Sequence, residues 1–191
     1  AVPVACAPGR YRGAPGATLA TACTACAAGS FSDTAGSAAC TTCPVGTFQA
    51  FEGRTTCAEC GSGTAQPLEG RANAHDCEQC AAGKYQPHAA LTFCIPCGKG
   101  LYQPSLGQTS CLQCAAGRAA AATPADATSA EGACTDCTPG QYSAEPAADA
   151  CTACAIGRAS ATAAATAAAT CEHCDWGTFA DTEGAATCTT C

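Results

Sequence analysis

Methionine is absent from this 191-residue chain, lysine occurs only at Lys84 and Lys99, and asparagine only at Asn73. Val, Ile and Leu together number 11, and Phe, Tyr and Trp number 10. So few large apolar side chains cannot fill the interior of a conventional globule of this length. The 48% hydrophobic content comes instead from 49 alanines and 21 cysteines. Positive charge is scattered singly and the net charge is −7, so no basic face exists to neutralise phosphates. That excludes nucleic-acid binding as a function class. No apolar run approaches the ~20 residues of a membrane span, so this segment is not expected to insert into a bilayer. Asn73 lies in "NAH", which is not an acceptor for N-linked sugar. The chain opens "AVPVACAPGRY" and closes on a motif cysteine, which reads as a processed chain or an excerpt of a longer one.

What the chain has is a cysteine period. C-x-x-C pairs begin at 23, 40, 57, 77, 94, 111, 134, 151, 171 and 188. The steps between them are 17, 17, 20, 17, 17, 23, 17, 20 and 17 residues. Regularity of this kind marks a linear array rather than a globule. Counting the second cysteine of each pair as position 0, position 3 is always glycine, from Gly29 to Gly177. Position 5 is usually aromatic: Phe31, Phe48, Tyr85, Tyr102, Tyr142 and Phe179. The lone Cys6 fits the same frame, with Gly9 and Tyr11 in place. Ten units follow, spanning 6–23, 26–40, 43–57, 60–77, 80–94, 97–111, 114–134, 137–151, 154–171 and 174–188.

Within a unit, "DTAG", "FEG", "PLEG", "PSLG" and "DTEG" mark a turn ahead of the closing cysteine, where glycine accepts positive φ. Each unit therefore reads as a short extended arm, a turn and a return arm, with strands of two to four residues. Four units are longer by three or six residues, and three of these carry Ala65, Ala119 or Ala159 at the aromatic position. The inserts are expected to fill the space that the ring occupies in the short units. The Ala-rich stretches 119–133 and 159–170 allow one helical turn each.

Paired C-x-x-C motifs are a metal signal in an intracellular protein. Here every gap between pairs opens with the same glycine, so gaps do not alternate between within-site and between-site kinds. Ten pairs would also need five tandem zinc sites. Disulfides satisfy the pattern without a metal, and no metal or other cofactor is called for. Equivalence of the units leaves two pairings open: closure of each unit on itself, or a bridge inside each C-x-x-C, which strands Cys6. A crossed scheme within blocks of four also strands Cys6 and breaks the equivalence.

The pattern C-x-x-C-P-x-G-x-[FY]…G-x-x-x-C-x-x-C in "CTTCPVGTFQAFEGRTTCAEC" (40–60), and its variant "CTDCTPGQYSAEPAADACTAC" (134–154), resembles the ephrin-receptor-like cysteine-rich repeats. The unit is also similar to the single-disulfide module that opens tumour-necrosis-factor-receptor ectodomains. The resemblance covers the whole chain. It implies extended, mostly irregular disulfide ladders in extracellular proteins, and it implies closure of each unit on itself. The pairs would be Cys6–Cys23, Cys26–Cys40, Cys43–Cys57, Cys60–Cys77, Cys80–Cys94, Cys97–Cys111, Cys114–Cys134, Cys137–Cys151, Cys154–Cys171 and Cys174–Cys188, leaving Cys191 unpaired within this chain. The fold class is then a small disulfide-rich repeat array: an elongated rod of short β-hairpin-like arms without a conventional hydrophobic core. The Ala/Thr bias is like that of secreted proteins of green algae, whose repeats of this kind build cell-surface and flagellar-hair (mastigoneme-type) fibres.

Other features have plain structural readings. C-x-x-C repeated ten times outside a βαβ context is structural rather than redox-active. His173 in "CEHC" reads as an exposed linker residue rather than a metal ligand, and Trp176 in "CDWGTF" as a cover over a disulfide. Position 5 rings are expected to lie on the sulfurs of their own or the next unit. No Ser-His-Asp set, phosphate loop or pair of catalytic carboxylates appears, and a one-dimensional ladder does not favour an enzyme. The expected function is structural, in an extracellular or cell-surface fibre, coat or stalk. The alternative is a ligand-binding receptor ectodomain. Protein partners or self-assembly into a filament, and O-linked glycans on the abundant Thr and Ser, are the expected associations.

Overall fold

A computed structural model describes residues 5–13, 23–121 and 127–191. Among the described residues, regular structure amounts to ten two-stranded sheets, one four-residue α-helix and two 3-10 turns. Most arms are only two residues long, at the short end of the expected range. In unit 2, Ser30–Phe31 pairs with Thr41–Thr42, and in unit 3 Thr47–Phe48 pairs with Ala58–Glu59. The first arm thus follows the position 3 glycine, and the return arm is the two-residue linker inside the next C-x-x-C. A linker that already belongs to a hairpin cannot swivel freely, so successive units are set by backbone pairing as well as by covalent bonds.

The chain divides into two compact bodies. One comprises Ala1–Ala81, Tyr85–Ile95 and Leu106–Thr109; the other comprises Ala82–Lys84, Pro96–Ser105 and Ser110–Cys191. In both, the buried residues are chiefly opening cysteines and small side chains. In the first body Cys6, Cys26, Cys43, Cys60 and Cys80 are buried, with Ala65. In the second Cys114, Cys134, Cys137, Cys154 and Cys171 are buried, with Ala119, Ala133, Ala159, Ala165 and Ala180. Sulfur and methyl groups occupy the place that branched aliphatic side chains fill in a conventional core.

The inserts form the helical turns that the Ala-rich stretches allow: Ala130–Ala133 in unit 7 and Ala168–Thr170 in unit 9, with a further 3-10 turn, Ala74–Asp76, in unit 4. In unit 7, Ala133 is buried against Cys114 and Cys134, and Tyr102 of the preceding unit packs on the same cluster. The ring therefore lies against the disulfide of the next unit. The turns of units 4 and 9 bury no residue, so the expectation that inserts fill the ring's space fails there. A single 3-10 turn standing on the surface takes up the extra residues without reaching inward. The insert of unit 1 lies outside the described residues.

Candidate functional site

The cysteines are joined unit by unit. The bonds are Cys6–Cys23, Cys26–Cys40, Cys43–Cys57, Cys60–Cys77 and Cys80–Cys94, then Cys97–Cys111, Cys114–Cys134, Cys137–Cys151, Cys154–Cys171 and Cys174–Cys188. Their Cα–Cα separations lie between 5.5 and 5.9 Å, within the ordinary range for disulfides. Cys191 is free and exposed. Six bonds span 14 residues of sequence, three span 17 and one spans 20, and closing a loop of about that length is worth roughly 3 kcal/mol in the chain-entropy description.

Between bonds, the backbone is stitched by a repeating set of hydrogen bonds. The carbonyl of each position 3 glycine accepts from the opening cysteine of the next unit, as in Cys43 N–H to Gly29 at 2.9 Å and Cys154 N–H to Gly140 at 2.8 Å. The N–H of the same glycine donates to the position 6 carbonyl of the next unit, as in Gly29 to Gln49 and Gly140 to Ser160. Position 6 donates onward to position 11 of the next unit, as in Gln49 to Arg71 and Gln86 to Gln108. Position 10 donates back to the preceding opening cysteine, as in Gly53 to Cys26 and Gly184 to Cys154. Eight of the nine junctions carry all four bonds, and among the described residues the junction of units 6 and 7 keeps two, Cys114 N–H to Gly100 and Gln103 N–H to Ala127; they satisfy backbone groups that would otherwise be buried unpaired.

The position 3 glycine has a second duty, toward the unit after next. At Gly46 φ is +78°, and a Cβ there would collide with the carbonyl of Ala90, two units on. Gly140 stands in the same relation to Gly184. Among the described residues the partner at position 10 also has positive φ, and where it is not glycine it is alanine: Ala90, Ala147 and Ala164 lie at +59°, +55° and +52°.

A second recurring device was missed in the sequence. Position 6 holds Gln49, Gln66, Gln86 and Gln103 in units 3 to 6, and the last three are buried. Gln86 Nε2 donates to the Phe93 carbonyl at 2.6 Å, and its Oε1 accepts from His88 N–H at 3.3 Å. Gln103 makes the same pair with Ser110 and Ser105, and Gln66 with Asp76 and Leu68. One amide thus clamps the residue before the closing cysteine to the start of the turn. In unit 2, Ser32 does a shorter version of this through Thr34 and Ser37. The signal was present as a fixed-position Gln, but a polar residue in a repeat ordinarily reads as solvent-facing.

Trp176 does not cover a disulfide; at 104% relative exposure it stands wholly in solvent, which corrects the sequence reading. Position 2 sits at the outer corner of the turn before the glycine, and Val45 and Ile156 at the same position are also exposed. His173 is exposed in the Glu172–His173 arm, with its Nε2 2.7 Å from the Arg158 guanidinium, which also donates to the Cys171 carbonyl at 2.9 Å. The ion pair Arg118–Asp136, at 2.6 Å, is exposed and adds little to stability. Among the described residues no cluster of three or more His, Cys, Asp or Glu has metal-binding geometry, and no helix is long and apolar enough to cross a membrane. Four large apolar side chains of the first body, Phe51, Leu68, Phe93 and Leu106, are exposed, one on each of units 3 to 6.

Comparison with known proteins places this geometry. The sequence model of the family described as tyrosine-protein kinase ephrin type A/B receptor-like matches residues 13–47, 29–77 and 88–131. No curated protein matches the chain.

Proposed function

We propose, from the premise that this chain belongs to the ephrin type A/B receptor-like family of cysteine-rich repeats, that it is a structural length of an extracellular or cell-surface protein. The observation that carries the reading is the combination of one disulfide per unit with backbone bonds from each unit to the next. Extension must then break the stitching of many units, while the bridges cap how far any one loop can lengthen. A chain with so little apolar interior has no other means of resisting force or proteolysis, and the oxidising exterior is where such bridges persist. The specific setting proposed is a fibre, coat or stalk of the flagellar-hair type, assembled through protein–protein contacts and carrying O-linked sugar on exposed Thr and Ser. Nothing in this role calls for catalysis.

Imaging of native material labelled by an antibody to this segment tests the proposal: regular filaments are expected. Dispersed single molecules over the cell membrane would refute it and favour a ligand-binding ectodomain. That second reading has its own observation, the exposed Phe51, Leu68, Phe93 and Leu106 on clamped units, since exposed apolar side chains on rigid supports suit recognition. Intact mass tests the sugar, which requires a mass above the 18.5 kDa of the polypeptide.

A further inference from the structure

From unit 1 to unit 9 the opening cysteines are buried, Cys6 through Cys154, with one exception: Cys97 is half-buried. Its bridge partner Cys111 is half-buried too, so both ends of the Cys97–Cys111 bridge are within reach of solvent. The junction with unit 7 accounts for this. The first arm of unit 7, Arg118–Ala120, is three residues long where most are two, and it pairs Ala120 with Cys134 of the same unit. Ala121 N–H is also bound within the unit, to the Ala133 carbonyl at 2.9 Å. Gly100 N–H does not meet the position 6 carbonyl of unit 7, and among the described residues neither it nor the Cys97 carbonyl has a backbone partner. A cavity of about 250 Å³ lies here, walled by residues 97–101 on one side and by Ala120, Ala121, Ala127 and Ala133 on the other. Lys99 is the one charged residue on its wall, in a chain of net charge −7.

We infer that Cys97–Cys111 is a site of thiol–disulfide exchange, opened by a dithiol reductant that enters through this cavity while the other bridges of units 1 to 9 stay closed. Exchange requires access of a thiolate to sulfur and is favoured by nearby positive charge. One thiolate of the reductant attacks Cys97 Sγ, the S–S bond breaks, and its electron pair leaves on Cys111. The second thiol of the reductant then attacks the mixed disulfide, which frees Cys97 and closes the reductant into its own disulfide. Two electrons and two protons pass to the cysteine pair, and the dithiol is oxidised. Lys99 offsets the negative charge of the incoming and departing thiolates. The consequence is mechanical. The two cysteines are 5.9 Å apart at Cα while bridged and 14 residues apart in sequence, and once reduced they can be drawn to about 48 Å at ~3.4 Å per residue. That consequence rests on the structural role proposed above; the exchange itself does not.

The test treats the native chain with limiting dithiothreitol after the free Cys191 has been alkylated. Released thiols are labelled with a second alkylating reagent and the labelled peptides are mapped. Cys97 and Cys111 are expected to be labelled at least about tenfold faster than Cys80–Cys94 and Cys137–Cys151, whose bridges span the same 14 residues. Lys99→Glu should slow labelling of Cys97 and Cys111 by about threefold and leave the other two pairs unchanged. Equal rates for the three bridges, or opening of all bridges in a single step, would overturn the inference. So would a Lys99→Glu chain in which Cys97 and Cys111 react as fast as in the unaltered one.

Discussion

Replacing Gly46 with alanine isolates the contact that links each unit to the second one beyond it. The substitution adds a Cβ to a residue at φ +78° and drives it into the Ala90 carbonyl. Neither side has room to yield. Gly46 N–H is bonded to Gln66 at 2.8 Å and its carbonyl to Cys60 at 2.9 Å, while Ala90 N–H is held by the Cys60 carbonyl at 2.9 Å. Left-handed backbone costs a non-glycine residue about 1–2 kcal/mol, and overpacking against a fixed neighbour adds about 1–3 kcal/mol. The sum, about 2–5 kcal/mol, amounts to a loss of protection of roughly 30-fold to 3,000-fold at tenfold per 1.4 kcal/mol. Exchange should accelerate at Gly46, Gln66 and Ala90, and little in units 8 to 10, because a repeat array transmits damage only to neighbours. Gly61→Ala is the control: Gly61 is at ordinary φ with nothing within 4 Å of a Cβ, and its substitution should move exchange less than about twofold. Equal effects of the two substitutions would refute the argument that backbone approach, not turn flexibility alone, requires glycine at position 3.

Other substitutions test the remaining devices. Ala90→Gly removes the left-handed strain at φ +59° and should stabilise unit 5 by about 0.5–1 kcal/mol, read as slower exchange at Gln66 and Ala90; a destabilised variant would contradict the assignment of strain. Gln86→Ala removes the clamp and leaves the Phe93 carbonyl and His88 N–H to water, at a cost of about 1–2 kcal/mol measured by thermal unfolding with bridges intact. Gln86→Glu keeps the acceptor for His88 but loses the donor to Phe93, so it should also destabilise. Full stability of the glutamate variant would show that the Nε2 bond contributes nothing.

Much of the fold was legible because the repeat is local. The cysteine period, the position 3 glycine and the position 5 ring all recur within a stretch of 17 to 23 residues, and covalent closure of such a stretch needs no long-range information. The family resemblance pointed to the same ladder of small hairpins. What escaped were the relations between units. Gly46 and Ala90 meet across an intervening unit, and no local spacing signals that approach. Ala90, Ala147 and Ala164 escaped notice as turn residues because alanine favours right-handed helix. Gln86 was passed over because burying an amide is favourable only when both its ends are satisfied, and that is visible only once the Phe93 carbonyl and His88 N–H face it. Trp176 was assigned to a disulfide by its size, but position 2 points outward in every unit where a large residue occupies it.

The most direct test of the ladder is a count of free thiols in the unreduced, denatured chain together with its response to a chelator. One reactive thiol per chain, from Cys191, and an unchanged circular dichroism spectrum after metal removal are expected. Twenty-one reactive thiols, or loss of structure when metal is stripped away, would contradict the account.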